Sequence, residues 1–277
     1  MGAPMARHLA AAGHAVTVYN RTAAKADAWV IANGGSSARS VTEAVAGADA
    51  VFTCVGNDDD LAGVVLGPDG AFAAMTPGAL FIDHTTVSAT LARRLAQGGE
   101  TLGLHVVDAP VSGGQAGAEQ GALSIMCGGT MAALAAATPL MAAYAKRVVH
   151  VGEAGAGQQT KMANQIAIAG VLAGLAEALR FAQASGLDLA QVYSAISGGA
   201  AQSWQMDNRW ATMAQGSFDF GFAIDWMRKD LGLALDEARA CGAVLPVTAL
   251  VDQFYAEVQR MGGGRQDTSA LVRRLPK

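Results

Sequence analysis

Residues 1–22 of the chain read MGAPMARHLAAAGHAVTVYNRT. The Ala-rich residues 4–12 are typical of a helix that Gly13 would end, and residues 15–20 are typical of a β-strand. A helix followed by a strand in this way matches the first helix and the second strand of a dinucleotide-binding unit. This stretch therefore predicts that the first part of the chain folds as such a unit.

The opening strand and most of the glycine turn of that unit do not precede Met1 in the sequence. Gly2 would be the last glycine of a GxGxxG turn, but a chain that simply begins with a helix fits the same residues. We expect the native protein to carry about a dozen further residues, enough for one strand of ~5–6 residues and a tight turn. A native mass equal to that of these residues alone would contradict this expectation.

The rest of the first half continues the same alternation of strands and helices. Six β-rich runs occur, at residues 15–20, 48–55, 79–85, 104–110, 122–128 and 147–152. Ala-rich helical segments lie between most of them, at residues 22–33, 60–66, 88–98 and 130–143. This alternation predicts βαβ units and a largely parallel sheet that is covered on both faces.

The pattern becomes wholly helical after Gly152. One long helix is predicted over residues 155–186, and four more at 188–197, 203–214, 225–241 and 246–261. The predicted fold class is therefore α/β, with a Rossmann-type doubly wound domain over residues 1–153 that is incomplete at its N-terminus. An all-α domain for substrate binding and oligomerisation would follow over residues 154–277 and open with a long interdomain helix.

Composition excludes several classes of protein. A net charge of −4 with 15% charged residues argues against a nucleic-acid partner, because phosphate binding needs a cationic face. The three cysteines lie far apart, so neither a disulfide framework nor a zinc site is expected, and a reducing cytoplasm fits best. The longest apolar run, residues 166–176, is too short to span a bilayer, so no membrane partner is expected.

The end of the second predicted strand carries a cofactor signal, Asn20-Arg21-Thr22. In dinucleotide folds a carboxylate at this place, ~20 residues beyond the glycines, binds the ribose of NAD. Here no carboxylate would repel a 2′-phosphate, and Arg21 could pair with one through two donors. The residues favour NADP, with NAD possible; alternatively, Arg21 is a surface residue and Thr22 only caps the following helix.

Three aspartates, Asp58 to Asp60, follow the next strand. A solvated loop with a helix N-cap explains them better than a metal site does. No metal is expected. Because ligands in such sheets bind beyond the carboxyl ends of the strands, Val55, Asn57 and Thr86 are better placed to line a cofactor.

Two segments carry candidate chemistry. Ser112-Gly113-Gly114 follows a strand, where glycine N–H groups and a serine hydroxyl can hold a carboxylate. An ordinary glycine-rich turn would have the same sequence pattern. Lys161 opens the long helix and shares one face with Asn164, Gln165 and Ile168. A lysine on an apolar face is unusual and suggests a catalyst, but a lysine that extends its amine to solvent fits equally well.

The sequence as a whole resembles the β-hydroxyacid dehydrogenases. The resemblance covers essentially all residues and rests on four motifs: residues 1–22, DAPVSGGQAGAEQGALSIMCGG at 108–129, GAGQQTKMANQ at 155–165 and FAIDWMRKDLGLAL at 222–235. It implies reversible hydride transfer between NAD(P) and a small 3-hydroxy acid or semialdehyde, of the 3-hydroxyisobutyrate or 2-hydroxy-3-oxopropionate type. It also implies a homodimer or homotetramer.

The resemblance assigns roles to individual residues. Lys161 is implied as the catalytic acid–base, Asn164 as the amide that places the substrate, and Ser112-Gly113-Gly114 as the carboxylate site. Thr86 would touch the nicotinamide half of the cofactor, and Lys229 would lie near it. Some members have two asparagines after the lysine, so Gln165 is a second candidate for substrate contact.

Three other interpretations are compatible with the sequence. Imine reductases share this architecture, but they carry Asp or Tyr where this chain has Lys161. A non-catalytic dinucleotide-binding scaffold would have no need of Lys161, Asn164 and Lys229. An inactive product that lacks the first strand is the third.

Overall fold

The structure, a computed structural model, describes residues 1–276. It divides after Lys161 into two compact units, Met1–Lys161 and Met162–Lys277. The domain boundary proposed from the sequence, at residue 153, lies earlier and stays a prediction. The long helix that was predicted after Gly152 contains the point of division.

The first unit alternates short strands with helices. Its strands are β1 (Thr17–Val18), β2 (Ser36–Ser37), β3 (Ala50–Thr53), β4 (Leu80–Asp83), β5 (His105–Asp108), β6 (Val111–Ser112), β7 (Leu123–Gly128) and β8 (Ala145–Gly152). Its helices are α1 (Gly2–Ala11), α2 (Ala23–Asn33), α3 (Val41–Val45), α4 (Asp58–Val65), α5 (Ala71–Ala74), α6 (Ala89–Thr101), α7 (Gly114–Glu119) and α8 (Met131–Met141). Each predicted strand and helix of this half is present, although β1 keeps only two residues of the predicted run 15–20. Strands β2 and β6, with two residues each, lie outside the predicted runs.

The main sheet is mixed. Strands β3, β4 and β5 run parallel in that order, and Asp83 at the end of β4 is the register partner of Asp108 at the end of β5. Strand β7 runs antiparallel to β5 and β6 and parallel to β8. The α/β prediction is confirmed. The antiparallel part arises because the chain reverses between β6 and β7, so that β7 runs back along both β5 and β6.

Strands β1 and β2 pair with each other and form a separate two-stranded sheet. In a doubly wound sheet of order 3-2-1-4-5-6 they correspond to the second and third strands, and β3 corresponds to the fourth. Among the described residues, β1 and β3 do not pair with each other. The expectation of further residues before Met1 stays a prediction.

Side-chain caps set where several helices begin. Asn57 caps α4 by accepting a hydrogen bond from the Asp60 amide at 2.8 Å, so α4 begins two residues before the predicted segment. The carboxylates of Asp58, Asp59 and Asp60 then lie in the first turn, where they stabilise the positive end of the helix.

Burial explains why β4 reads as a continuous apolar run. All four of its residues are buried. Ile82 packs with Val107 and Ile125 in one core cluster, while Phe81 packs with Leu61 and Leu95 in another. Helices therefore cover both faces of the strand, as expected for a doubly wound fold.

The second unit is helical. Helix α9 (Ala156–Ala184) leads into it, followed by α10 (Leu189–Ile196), α11 (Trp204–Gln215), α12 (Ile224–Cys241) and α13 (Pro246–Arg260). A 3₁₀ helix over Thr268–Arg274, which the sequence did not predict, closes the described chain. The core of the unit is built around Leu179, Met227 and Tyr255.

Helix α9 is long and apolar enough, by length and composition alone, to cross a membrane. With 29 residues it is much longer than the apolar run at residues 166–176, which is too short to span a bilayer. However, it buries the polar side chains of Gln158, Lys161 and Gln165, which is typical of a helix in a protein core.

Candidate active site

The start of α9 is held by the carboxylate of Asp108. Its Oδ1 accepts a hydrogen bond from the Gly155 amide at 2.8 Å, and its Oδ2 accepts one from the Gln158 amide at 3.0 Å. Burial raises the pKa of Asp108 to about 6, although these amides favour the charged form. A Cβ at Gly157 would lie 2.7 Å from Asp108 Oδ2, so the glycine is needed for this close approach.

Gln158 is fully buried in the first turn of α9. Its Nε2 donates to the Thr85 carbonyl oxygen at 2.8 Å, and its Oε1 accepts from the Val87 amide at 3.1 Å. The side chain thereby joins the helix to the segment that follows β4. Thr86, between the two bonded residues, is half-buried, whereas Thr85 and Val87 are buried.

Lys161 lies one turn further along α9 and is 8% exposed. Its Nζ donates a hydrogen bond to the carbonyl oxygen of Val111 at 2.9 Å. The amine is therefore held against the backbone of β6 and does not extend to solvent, which disfavours the alternative of an ordinary surface lysine.

Ser112, Gly113 and Gly114 follow directly on Val111. Gly113 and Gly114 have φ angles of 124° and 61°, in the left-handed region that L side chains rarely adopt. Both glycines are exposed, and a Cβ at Gly114 would meet nothing within 4 Å. Glycine is thus required at Gly114 by backbone conformation alone, and the segment is open to a ligand.

The ends of β3 and β4 are joined through Asp83. Its Oδ1 accepts from Thr53 Oγ1 at 2.7 Å and from the Thr85 amide at 3.0 Å. The Thr85 hydroxyl in turn accepts from the Val55 amide at 3.1 Å. Burial, together with the neighbouring charge of Asp108, raises the pKa of Asp83 to about 7.

His84 is enclosed within the first unit. Its Nδ1 lies 2.6 Å from the Ala109 carbonyl oxygen, so this nitrogen carries the proton, and the Tyr144 hydroxyl donates to Nε2 at 2.8 Å. Burial lowers the pKa of His84 to about 4. The imidazole therefore supports the backbone just ahead of β6 and stays neutral near pH 7.

The predicted cofactor residues at the N-terminus lie on the surface of the first unit. Arg21 is exposed and forms an ion pair with Asp60 at 2.9 Å, and Asn20 Oδ1 accepts from the Thr22 amide at 2.9 Å. Thr22 occupies the N-cap position of α2, but its side chain makes no capping hydrogen bond. The exposure of Arg21 and the N-cap position of Thr22 agree with the alternative of surface residues, except that the Thr22 side chain does not cap α2.

Gly2 begins α1 beside the end of β3. A Cβ added there would lie 3.4 Å from the Cys54 Cβ, so helix and strand approach closely at this glycine. Val55 is exposed just beyond β3, and Asn57 and Thr86 are half-buried. This edge of the first unit, with small and accessible groups after two parallel strands, fits a dinucleotide cofactor.

The second unit gathers the remaining predicted residues into one chain of contacts. Asn164 Nδ2 donates to Gln165 Oε1 at 2.8 Å, and Gln165 Nε2 donates to Asp230 Oδ2 at 2.7 Å. Asp230 Oδ1 pairs with Lys229 Nζ at 3.0 Å. Gln165 is buried with both ends of its amide bonded, whereas Asn164 is only partly buried. Asn164 is thus the more accessible of the two candidate amides.

Four polar residues of this arrangement were given no individual role from the sequence: Asp83, Asp108, Gln158 and Asp230. The positions of Asp83 and Asp108 at the ends of parallel strands were a usable signal. The bonds of Gln158 and Asp230 arise from contacts between distant segments and left no pattern in the sequence. Among residues 1–276, no group of three or more His, Cys, Asp or Glu side chains could hold a metal ion.

Two families of known proteins match the chain. The family described as the NAD binding domain of 6-phosphogluconate dehydrogenase matches residues 1–152. The family described as the NAD-binding of NADP-dependent 3-hydroxyisobutyrate dehydrogenase matches residues 155–275. Together they support a nicotinamide dinucleotide as the cofactor.

Individual relatives match over nearly their whole length. An uncharacterized oxidoreductase of Shewanella frigidimarina is 60% identical over 100% of this chain and 95% of its own. The 2-hydroxy-3-oxopropionate reductase of Escherichia coli is 37% identical over 99% of this chain and 94% of its own. A solved Mycobacterium tuberculosis 3-hydroxyisobutyrate dehydrogenase with L-serine has a TM-score of 0.90 at 33% identity and covers 100% of this chain and 96% of its own.

Solved reductive aminases and an imine reductase share the fold at 19–22% identity, with TM-scores of 0.58–0.59. That likeness extends to the fold alone. The closer similarities confirm the resemblance drawn from the four sequence motifs. The chain therefore belongs to the β-hydroxyacid dehydrogenase family of NAD(P)-dependent oxidoreductases.

Proposed function

We propose that this enzyme interconverts a small 3-hydroxy acid and its semialdehyde, with Lys161 as the acid–base. One observation carries the proposal: the buried Lys161 amine bonds to Val111, the residue directly before Ser112-Gly113-Gly114. An amine fixed beside an accessible glycine segment can contact both functional groups of a hydroxy acid. The amine would exchange a proton with the hydroxyl, and the glycine segment would bind the carboxylate.

Lys161 would handle the proton of the reaction. In the oxidative direction its neutral amine would take the hydroxyl proton. In the reductive direction its ammonium polarises the carbonyl and then donates the proton. A bound nicotinamide would accept or supply the hydride. The hydrogen bond to Val111 uses one N–H of Lys161 and so orients the amine.

Ser112, Gly113 and Gly114 would bind the substrate carboxylate through backbone N–H groups and the serine hydroxyl. Asn164 would contact the substrate, since it is the more accessible amide. Gln165, predicted as a second contact, would act by holding Asn164, because both ends of its own amide are bonded. Lys229 would lie near the cofactor, with its charge balanced by Asp230.

The cofactor would lie along Gly2, Val55, Asn57 and Thr86, beyond the ends of β3 and β4. NADP is favoured over NAD because Arg21, next to Asn20 and Thr22, offers a cation for a 2′-phosphate. The ion pair of Arg21 with Asp60 would have to open or share its guanidinium. The ratio of kcat/KM for NADP+ and NAD+ in the wild type and in Arg21→Ala tests this assignment, and a clear NAD preference in the wild type would refute it.

The substrate would be of the 3-hydroxyisobutyrate or 2-hydroxy-3-oxopropionate type, by analogy with the named relatives. Activity assays that monitor nicotinamide absorbance in both directions would identify it. The panel of compounds comprises 3-hydroxyisobutyrate, tartronate semialdehyde, glyoxylate, succinic semialdehyde and L-serine. Imines belong in the same panel, because turnover of imines alone would favour an imine reductase. Cofactor binding without turnover of any compound would favour a non-catalytic scaffold.

We also propose a cytoplasmic homodimer or homotetramer. The three free cysteines and the family resemblance support these assignments. Light scattering on the purified protein measures the number of subunits, and a monomer at micromolar concentration would contradict the proposal. Cell fractionation tests the location.

A further inference from the structure

We propose that Gln158 is a positioning residue that fixes Thr86 relative to Lys161. The inference rests on the proposed function, in which Lys161 transfers the proton and Thr86 lies along the cofactor. It goes beyond that function by assigning a role to a residue that need not touch substrate or cofactor.

The two hydrogen bonds of Gln158 lie on either side of Thr86. Its Nε2 donates to the carbonyl of Thr85, and its Oε1 accepts from the amide of Val87. The peptide groups that flank Thr86 are thereby both held by one side chain. Thr86 itself stays partly accessible between two buried neighbours.

The carboxamide group is specifically required for this pair of bonds. A carbonyl oxygen can only accept and an amide N–H can only donate, so the side chain must offer one donor and one acceptor together. An apolar side chain offers neither, and an ionised carboxylate offers only acceptors. Gln158 is fully buried, so water cannot replace the lost bonds cheaply.

The backbone of Gln158 is also fixed. Its amide donates to Asp108 Oδ2, so the helix turn that carries the Gln158 side chain is held at the end of β5. Lys161 follows three residues later on the same helix, ~4.5 Å along its axis. The position of Lys161 relative to Thr86 therefore depends on the bonds of Gln158.

Loosening this arrangement should affect the chemical step more than binding. Hydride transfer requires near-contact geometry, and a displacement of about 1 Å can cost roughly 100-fold in rate. Gln158→Leu is expected to lower kcat by about 10- to 100-fold while the dissociation constant for the cofactor stays nearly unchanged. Gln159→Leu, the same change on the exposed neighbour, is the matched control, expected to keep wild-type kcat.

Gln158→Glu provides a readout that loss of stability alone would not produce. A protonated carboxyl offers one O–H donor and one carbonyl acceptor, so it can restore both bonds, whereas the ionised form cannot donate to Thr85. The kcat of this variant, divided by that of the wild type, should rise as the pH falls. The ionisable groups near this turn include Asp83, His84, Arg93, Asp108, Glu153 and Lys161, and the wild-type reference corrects for them.

The experiment measures kcat per folded active site for the wild type and the three variants across pH. Folding is checked by circular dichroism, and active sites are counted by nicotinamide fluorescence. Two outcomes would overturn this inference alone, provided that the wild type turns over substrate. One is a kcat in Gln158→Leu equal to that of the wild type. The other is a ratio of Gln158→Glu kcat to wild-type kcat that does not change with pH. If Gln158→Leu does not fold, the Gln158→Glu ratio decides. A folded wild type without turnover would overturn the proposed function and this inference with it.

Discussion

The Nζ atom of Lys161 lies 2.9 Å from the carbonyl oxygen of Val111, so the proposed acid–base is tied to the strand that leads into Ser112-Gly113-Gly114. These segments are 50 residues apart in the chain. One hydrogen bond joins them and holds the amine beside the proposed carboxylate site. In the proposed reaction this bond would help to orient the amine toward the substrate.

Replacing Lys161 by Met should lower kcat by ~10²–10⁴-fold, the usual contribution of a general acid–base. Methionine fills a similar volume, so the cofactor dissociation constant should stay close to that of the wild type. Stopped-flow hydride transfer and nicotinamide fluorescence measure the two quantities. Lys146→Met on the exposed part of β8 is the control, and near-normal turnover in Lys161→Met would remove Lys161 from this role.

Gly114→Ala should raise KM for the hydroxy acid without a comparable change for the cofactor. The φ of 61° at Gly114 strains any L side chain by ~1–2 kcal/mol, so the segment is expected to relax away from its binding geometry. Gly63→Ala is the matched control, because Gly63 lies inside α4 with open space around it. That change should stabilise the helix by roughly 0.5–1 kcal/mol and leave KM unchanged. An equal KM in both variants would argue against a substrate site at Gly114.

Asp230→Asn should remove the charge that balances Lys229 while keeping an acceptor for Gln165. Asp230 is almost fully buried, so we expect the free energy of unfolding to fall by ~1–3 kcal/mol and the cofactor affinity to change with it. Asp236→Asn, in an exposed pair with Arg239 on the same helix, is the control. A surface pair contributes little, so its variant should differ from the wild type by less than about 1 kcal/mol. Urea unfolding and cofactor titration test both variants.

Asp83 should make stability depend on pH. Its folded pKa of about 7 lies above the unfolded value of 3.8, so the folded protein binds the proton more tightly. The stabilisation is present below pH 3.8 and is lost as the pH rises towards 7, at about 1.4 kcal/mol for each pKa unit. Asp108, with a folded pKa of about 6, acts in the same direction up to pH 6.

His84 opposes this trend, because its lowered pKa of about 4 makes stability fall as the pH drops from 6.5 towards 4. The difference between the wild type and Asp83→Asn isolates Asp83 from these other groups. Measured by urea unfolding, the stability of the wild type relative to Asp83→Asn should decrease between pH 4 and pH 7. A difference that is constant over this range would contradict the buried position of Asp83.

Tyr144→Phe should lower the free energy of unfolding by ~1–3 kcal/mol, because it leaves the buried Nε2 of His84 without its donor. Tyr193→Phe is the matched control. The Tyr193 hydroxyl lies 3.4 Å from Asp207 at an exposed site, so its loss should cost less than about 1 kcal/mol. Thermal unfolding of the two variants checks the difference, and equal losses would mean that the His84–Tyr144 bond contributes nothing specific.

The sequence by itself determined the fold class and the order of the long elements, and it supplied the motif residues on which the proposed function rests. Strands such as β4 are apolar on both faces, and the helices have clear caps, so local pattern is enough to predict them. Lys161 stood out because a lysine on an apolar helical face is unusual.

Only the tertiary structure decided how that lysine is held. The bonds of Lys161 to Val111, of Gln158 to the segment around Thr86, and of Asp230 to Gln165 join residues 50 to 73 positions apart. Such contacts have no local periodicity, since they depend on which strand ends meet when the sheet forms. For the same reason the two-residue strands β2 and β6, which exist only through pairing with a neighbour, could not be predicted from sequence.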